Sequence, residues 1–395
     1  MNKVKPGILL LSMFATLLFS CKTMKQQAEV SVTNALDFPR KEITSIKKEQ
    51  LPTNLRKSGE QDIRVKDKRS GKLLPLQWVD NDQNGTVDEL LFPSELNARS
   101  ISKYIIFLGA ELPVPVSKSS TYSRFVPERT DDYTWENDRV AFRVYGPDAQ
   151  QRTEQNRENG TLSSGVDLWL KRTDQPIINK WYKGYLSDPS FYHTDRGEGY
   201  DPYHVGASRG VGGSGIWLDD SLHVSKNYIS YKTIAVGPLR TVFELVYAPW
   251  SKYGLRETKR ISLDLGSNFS KFEVMLQADQ QIPNYTLGIT LHKNEGEAQL
   301  NEQAGYFRHQ ELIDGVFLGE GIVLDPATIE RAFAHQSKTP DQSNLLIVTR
   351  PAKQITYYAG FAWEKSGQVR SGADWDGMLS KQAQIVAHPL VVTIK

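Results

Sequence analysis

Thiols, charge imbalance and helical periodicity are all scarce in this sequence. Of 395 residues one is cysteine, Cys21, which excludes internal disulfides and multi-thiolate metal centres. Lysine and arginine number 48 against 46 aspartate and glutamate, a formal charge of +2. So balanced a chain is not built to bind nucleic acid through its net charge. No glycine-rich phosphate loop ending in Gly-Lys-Ser/Thr and no βαβ glycine fingerprint occurs, which removes nucleotide-binding folds. His-Glu-x-x-His is missing too, and His223, His292, His309, His335 and His388 are scattered without metal-ligand spacing. That argues against a dedicated zinc site. Gly213-Ser214-Gly215 lacks the spacing of a nucleophile elbow. Aromatic residues, in contrast, are plentiful: 17 Tyr, 15 Phe and 8 Trp, a composition that suits strands and stacking surfaces for sugar rings.

The chain opens with Lys3 and Lys5, an apolar run from Ile8 to Phe19, then Ser20-Cys21, the layout of a secretory signal peptide over residues 1–20. The run is short for a transmembrane span. Leu18-Phe19-Ser20-Cys21 resembles a lipobox, which implies lipid on Cys21 and a chain anchored in the cell envelope. Lys22 in place of aspartate after the cysteine resembles outer-membrane sorting. The membrane, through this lipid, is one expected partner.

Residues 21–117 read as the lipidated N-terminus and a small antiparallel β unit. Ile63–Lys66, Leu74–Val79 and Tyr104–Leu108 are separated by turn clusters. Pro113-Val114-Pro115-Val116-Ser117 reads as a linker. From 118 to 395 period-two alternation dominates, as in Arg139–Tyr145, Val166–Lys171, Thr241–Tyr247, Glu257–Asp264 and Leu390–Ile394, and predicts an all-β unit of two large stacked antiparallel sheets. The clearest helix signal is Asp325-Pro326, a capping residue followed by proline.

Three constellations carry chemical potential. Asp80, Asp82, Asn84 and Asp88, with Gly85 at the sixth position, match the front half of a calcium loop. Leu91 stands where a bidentate glutamate belongs, and a plain turn competes with a structural calcium site. Alternation from Asn137 to Tyr145 puts Val140, Phe142 and Val144 on one face and Asn137, Arg139, Arg143 and Tyr145 on the other. Trp169 and Lys171 repeat that pattern. The polar side suits a carboxylate or sulfate held by forked arginines beside a sugar-stacking ring, and a solvated strand face is the competing reading. Between Gly197 and Trp217, seven of 21 residues are glycine, and Tyr200, Tyr203, His204 and Arg209 stand in the same stretch. Such density points to tight turns or close approach to a ligand. His193 stands near enough in sequence to join the same cleft.

Trp135–Pro147, Tyr203–Gly206, Gly212–Trp217 and Gly237–Tyr247 resemble a family of bacterial lipoproteins, domain of unknown function 4861. The resemblance implies polysaccharide utilisation and a galactose-mutarotase-like β-supersandwich. It also implies dehydration of a terminal uronic acid on acidic, ulvan-type oligosaccharides, with no redox cofactor. For that reaction His204, Tyr203 and Tyr200 supply acid and base, and Arg209, Arg139 or Arg143 neutralise the carboxylate. The expected cleft is floored by Asn137, Arg139, Arg143, Trp169 and Lys171, and the 197–217 loop closes over it. A glycan-binding lipoprotein without catalysis, a glycoside hydrolase and an epimerase remain alternatives on the same fold.

Overall fold

A computed structural model describes residues 27–395. The signal segment and the lipid site at Cys21 lie outside the described residues. Among those described, no helix is long and apolar enough to cross a membrane.

Alternation builds the first unit. In Gln27–Asn34 every second residue, among them Ala28, Val30 and Val32, is buried, because side chains of a strand point to opposite faces. This strand pairs with Ser100–Leu108, which pairs in turn with Ile63–Asp67. A second, three-stranded sheet joins Arg40–Lys47, Glu89–Leu96 and Gln77–Val79. Ile46, Leu90 and Phe92 meet Val30, Val65 and Ile106 between the two. The chain's last strand, Val391–Ile394, belongs here rather than with the large unit, where the sequence reading set it. It pairs antiparallel with Gln27–Asn34, Val32 opposite Val392, because Leu390, Val392 and Ile394 are completed by the first unit's core. Residues 109–121, which include the proline-rich stretch, carry no regular element.

The large unit is all-β, as expected, and contains an eight-stranded and two five-stranded sheets. One continuous core joins all three: Trp135, Phe142 and Leu168 from one small sheet, Leu287 and Ile347 from the other, Phe243, Ile261, Phe272 and Ile322 from the large one. Both small sheets therefore pack on the same, inner face of the eight-stranded sheet. The Asp325-Pro326 signal yields a single 3-10 turn, Pro326–Thr328, before the strand Ile329–His335. Asp325 does cap it, accepting from the Ala327 N–H, but β-branched and aromatic residues beyond favour extension.

The outer face of the large sheet is covered at two places. Helix Gly372–Ala387, capped by the Ser371 hydroxyl, lays Trp375 over Gly319 and Gly321, where a Cβ on Gly319 would come within 2.4 Å of the indole. The indole stacks on Phe269 (5.4 Å, 12°) and its N–H reaches the Glu320 carbonyl (3.1 Å). On the other side the first unit docks through Val79, Leu91 and Leu239. Gln77 fastens that contact by donating to the Arg240 carbonyl (2.8 Å) and accepting from the Leu239 and Arg240 N–H groups (both 2.9 Å). Trp375→Ala should therefore cost about 3–5 kcal/mol in chemical denaturation; a loss below about 1 kcal/mol would show that the helix is a loose appendage.

Candidate active site

The polar face expected around Arg143 exists, but it is closed. Phe142 and Leu168 enter the main core, while Ala141 and Trp169 turn to the opposite side. There the helix Ile178–Tyr185 and the turn Phe191–His193 lie over the sheet. Trp169, 0% exposed, sits among Trp181, Tyr182 and Tyr192 at ring distances of 5.1, 4.9 and 5.1 Å. Arg143 Nε donates to Asp167 (2.8 Å) and Nη2 to Asp201 (2.9 Å), with the guanidinium over the Trp169 and Tyr192 rings. Lys171 Nζ donates to Glu136 (2.8 Å) and to the Asn137 and Gln175 carbonyls (2.7 and 2.9 Å). Glu136 also accepts the N–H groups of Ile177 and Ile178 at the start of the covering helix, where a carboxylate is favoured. Asn137 donates to the Asp264 and Ser267 carbonyls (both 2.7 Å). Asn137, Arg143, Trp169 and Lys171 thus bind protein, not sugar. His193 stays exposed, its Nδ1 2.7 Å from the Asp201 carbonyl.

The glycine-dense segment is likewise internal. Val211–Leu218 is a buried strand rather than a lid, with a bulge at Gly212, whose φ of 96° suits glycine alone. Arg209 is 1% exposed and donates to the Ser164 hydroxyl (2.9 Å) and to the Ser214 and Ala207 carbonyls (3.1 and 2.9 Å). A Cβ on Gly288 would stand 2.5 Å from its Cγ, so the glycines make room for this arginine. Burial pulls the guanidinium down to about 10, against the attraction of Glu257.

The aromatic residues of the segment point to one end of the sandwich, on the inner side of the large sheet. Tyr203 is buried and its hydroxyl donates to Glu320. Tyr200 donates to Asp314 (2.5 Å). His204 is exposed, 3.2 Å from Asp341. The Tyr203 ring meets the edge of His292 (4.8 Å, 74°), whose Nδ1 lies 2.8 Å from Glu311. Burial depresses that imidazole, but Glu311 outweighs it and holds it up at about 9. Arg143 turns Nε and Nη2 to Asp167 and Asp201, and Arg209 turns its terminal nitrogens to Ser164, Ser214 and Ala207, so these groups are held by the protein rather than by the imidazole or the phenols.

Asp80, Asp82 and Asp88 each bring a carboxylate oxygen within 4.8 Å of the other two. Those oxygens already accept from the turn itself: Gly85 N–H to Asp80 (2.8 Å), Asn84 Nδ2 to Asp82 (2.9 Å), Asn81 N–H to Asp88 (2.7 Å). The Asn84 Oδ1 accepts from Thr86.

Between the first unit and the helix Gly372–Ala387, a groove of about 550 Å³ opens on the outer face of the large sheet. Strand register sets its floor. Arg260 faces Glu273 on the next strand, and Lys271 faces Tyr358 on the one beyond, while Arg240 faces Asp264. Residues between them, Ile261 and Phe272, point into the core. The lining carries six cations, Lys41, Arg139, Arg240, Arg260, Lys271 and Lys381, against the carboxylates of Glu42, Glu89, Asp264 and Glu273. Arg260 donates to Asn81 (2.6 Å) and Glu244 (3.1 Å), Lys271 pairs with Glu273 (2.8 Å), and Arg139 donates to the Asn268 amide oxygen (3.2 Å). Burial, reinforced by the charges of Glu273 and Asp264, pushes the Tyr358 hydroxyl up to about 12, so it stays protonated as a donor. Arg139 alone of the expected binding residues lines this groove. The others were missed because alternation shows which residues share a strand face, whereas only inter-strand register shows that Arg260, Lys271 and Tyr358 are neighbours.

The sequence matches the family described as Domain of unknown function (DUF4861) over residues 32–392, and the chain belongs to that family. It is 41% identical to uncharacterized protein P7 of Formosa agariphila, across 96% of this chain and 97% of that protein. Its fold is similar to two solved structures from Enterococcus faecalis, each at 10% identity over 94% of this chain. One is an α-mannosidase (TM-score 0.51, 46% of that chain covered), the other a protein of glycosyl hydrolase family 38 (TM-score 0.53, 48% covered). The chain spans just under half the length of these two.

The buried network around Arg143 yields a pH prediction. Three carboxylates, Asp132, Asp167 and Asp201, face two guanidiniums, Arg129 and Arg143. Burial, which Arg143 opposes and Asp167 reinforces, raises Asp201 to about 8. A folded carboxyl held protonated stabilises fully below the unfolded value of 3.8 and loses that contribution as pH rises towards 8. Asp201→Asn removes the titration, so its stability relative to wild type should climb between about pH 4 and pH 8 and level off above. A difference constant with pH would contradict this protonation.

Proposed function

We propose that this protein processes acidic oligosaccharides in the outer groove, and that the reaction removes water from a terminal uronic acid to leave a C4–C5 double bond. The observation that carries the reading is the convergence of Arg260, Lys271, Glu273 and Tyr358 on one floor of a cation-rich groove. The volume lies in the range of small-ligand sites. Carbohydrate processing is further supported by the fold shared with the α-mannosidase and the family 38 protein.

The chemistry asks for three groups. A cationic clamp must neutralise the uronate carboxylate so that charge developing on it is stabilised; Arg260 and Lys271, with Arg240 beside them, supply it. A base must take the C5 proton, and the Glu273 carboxylate stands next to that clamp. An acid must protonate the departing 4-hydroxyl, and Tyr358 holds its proton throughout the neutral range. The C5–H and C4–O bonds break, the C4=C5 bond forms and water leaves, with no electron acceptor required. This reading moves the proton chemistry from His204 and Tyr203 to Glu273 and Tyr358. It retains the expectation of a lipid anchor at Cys21 in the cell envelope.

The test is incubation with uronic-acid-terminated oligosaccharides followed by mass spectrometry. Loss of one water supports the proposal, addition of one water indicates hydrolysis, and unchanged but bound sugar indicates capture without turnover. Tyr358→Phe should lower kcat by about 10²–10⁴-fold with binding kept, and Lys271→Met should mainly raise KM. His204→Ala, on the other side of the sheet, should leave turnover unchanged. Full activity in Tyr358→Phe would remove the groove from the mechanism.

A further inference from the structure

At the inner end of the sandwich the hairpin Tyr306–Ile313 and Val316–Leu324 places His309, Glu311 and Glu320 together. One ligand atom from each lies within 4.8 Å of the other two. His309 and Glu320 are 1% and 0% exposed, and among the described residues neither carboxylate meets a lysine or arginine; their partners are imidazoles and a phenol. A buried and a half-buried carboxylate without a permanent cation are costly to keep.

The two imidazoles are oriented alike. His309 Nε2 lies 3.0 Å from the Glu295 carbonyl and its Nδ1 2.9 Å from Glu320. His292 Nε2 lies 2.9 Å from the His204 carbonyl and its Nδ1 2.8 Å from Glu311. A carbonyl can only accept, so each Nε2 carries a proton; His292 Nδ1 then donates to Glu311, and His309 aims Nδ1 at Glu320, where exchange of its proton for an ion frees the lone pair. That is how metal-ligating histidines are held by their surroundings.

We propose that His309 Nδ1, Glu311 and Glu320 bind one divalent transition-metal ion of the zinc class, with His292 steadying Glu311 and Tyr203 steadying Glu320. The nitrogen donor favours this class over calcium or magnesium. Ligands about 2.1 Å from a tetrahedral ion stand about 3.4 Å apart, so His309 Nδ1 and Glu320, 2.9 Å apart, need only open slightly, and Glu311, within 4.8 Å of both, need close by little more than about an ångström. The ion ties the hairpin to the glycine-dense segment through Tyr203 and to the end of the strand Tyr285–Thr290 through His292. It is separate from the outer groove, because Glu320 faces inward beneath the glycines that Trp375 covers.

The test uses the full chain without an affinity tag, stripped with EDTA and titrated with zinc chloride or cobalt chloride. One equivalent should bind, raise Tm by several degrees and, for cobalt, give a visible absorption band. Glu311→Gln should abolish that equivalent and His292→Ala should weaken it about 10–100-fold, while Asp80→Asn leaves it intact. No stoichiometric binding to wild type, or binding that survives Glu311→Gln, overturns the proposal. Anomalous scattering from a zinc-soaked wild-type crystal decides independently of how the variants fold: a peak among His309, Glu311 and Glu320 supports the site, and a peak elsewhere alone refutes it.

Discussion

The eight-stranded sheet packs its inner face against two smaller sheets, and this packing dictates where every other side chain of the large unit can point. Each fully buried aliphatic or aromatic residue contributes about 1.5–3 kcal/mol. A one-residue slip of any strand would turn its whole apolar set outward. With Ile261 and Phe272 committed to the core, Arg260, Lys271 and Glu273 must face out. The outer face is then covered where apolar residues allow it, by Trp375 at one side and by Val79 and Leu91 at the other. The polar strip left between these covers is the groove. Its charge and its position are two consequences of one constraint.

Buried charge elsewhere serves the architecture. Lys171 with Glu136, and Arg143 with Asp167, are shielded ion pairs that gain little net stability from their existence and lose much if one partner goes. They fix which helix covers which sheet: Glu136 reads the N-terminus of Ile178–Tyr185 through two backbone N–H groups. Side chains suited to clamp a sugar acid and side chains suited to clamp a helix are the same types, and only coverage distinguishes them.

That ambiguity marks the limit of what could be read from the residues. Strand content and the period-two faces were legible, since alternation is a local property. Family membership was legible from blocks such as Trp135–Pro147. The covering helix was not, because eight residues rich in aromatics, Ile178 to Tyr185, give no stronger signal than a strand of that length. Helix Gly372–Ala387 begins with a serine cap that its glycines obscure. The return of Val391–Ile394 to the first strand joins residues more than 350 apart, which no local pattern reports. His309 and Glu311 share a strand face at a spacing of two, but Glu320 joins them only through hairpin register.

The most direct test of the account is a crystal structure of the chain soaked with a uronic-acid-terminated oligosaccharide. The account predicts the sugar on the outer face of the large sheet, its carboxylate against Arg260 and Lys271 and its ring near Tyr358. Density at Tyr203 and His204 on the opposite side of that sheet, with the groove empty, would contradict it.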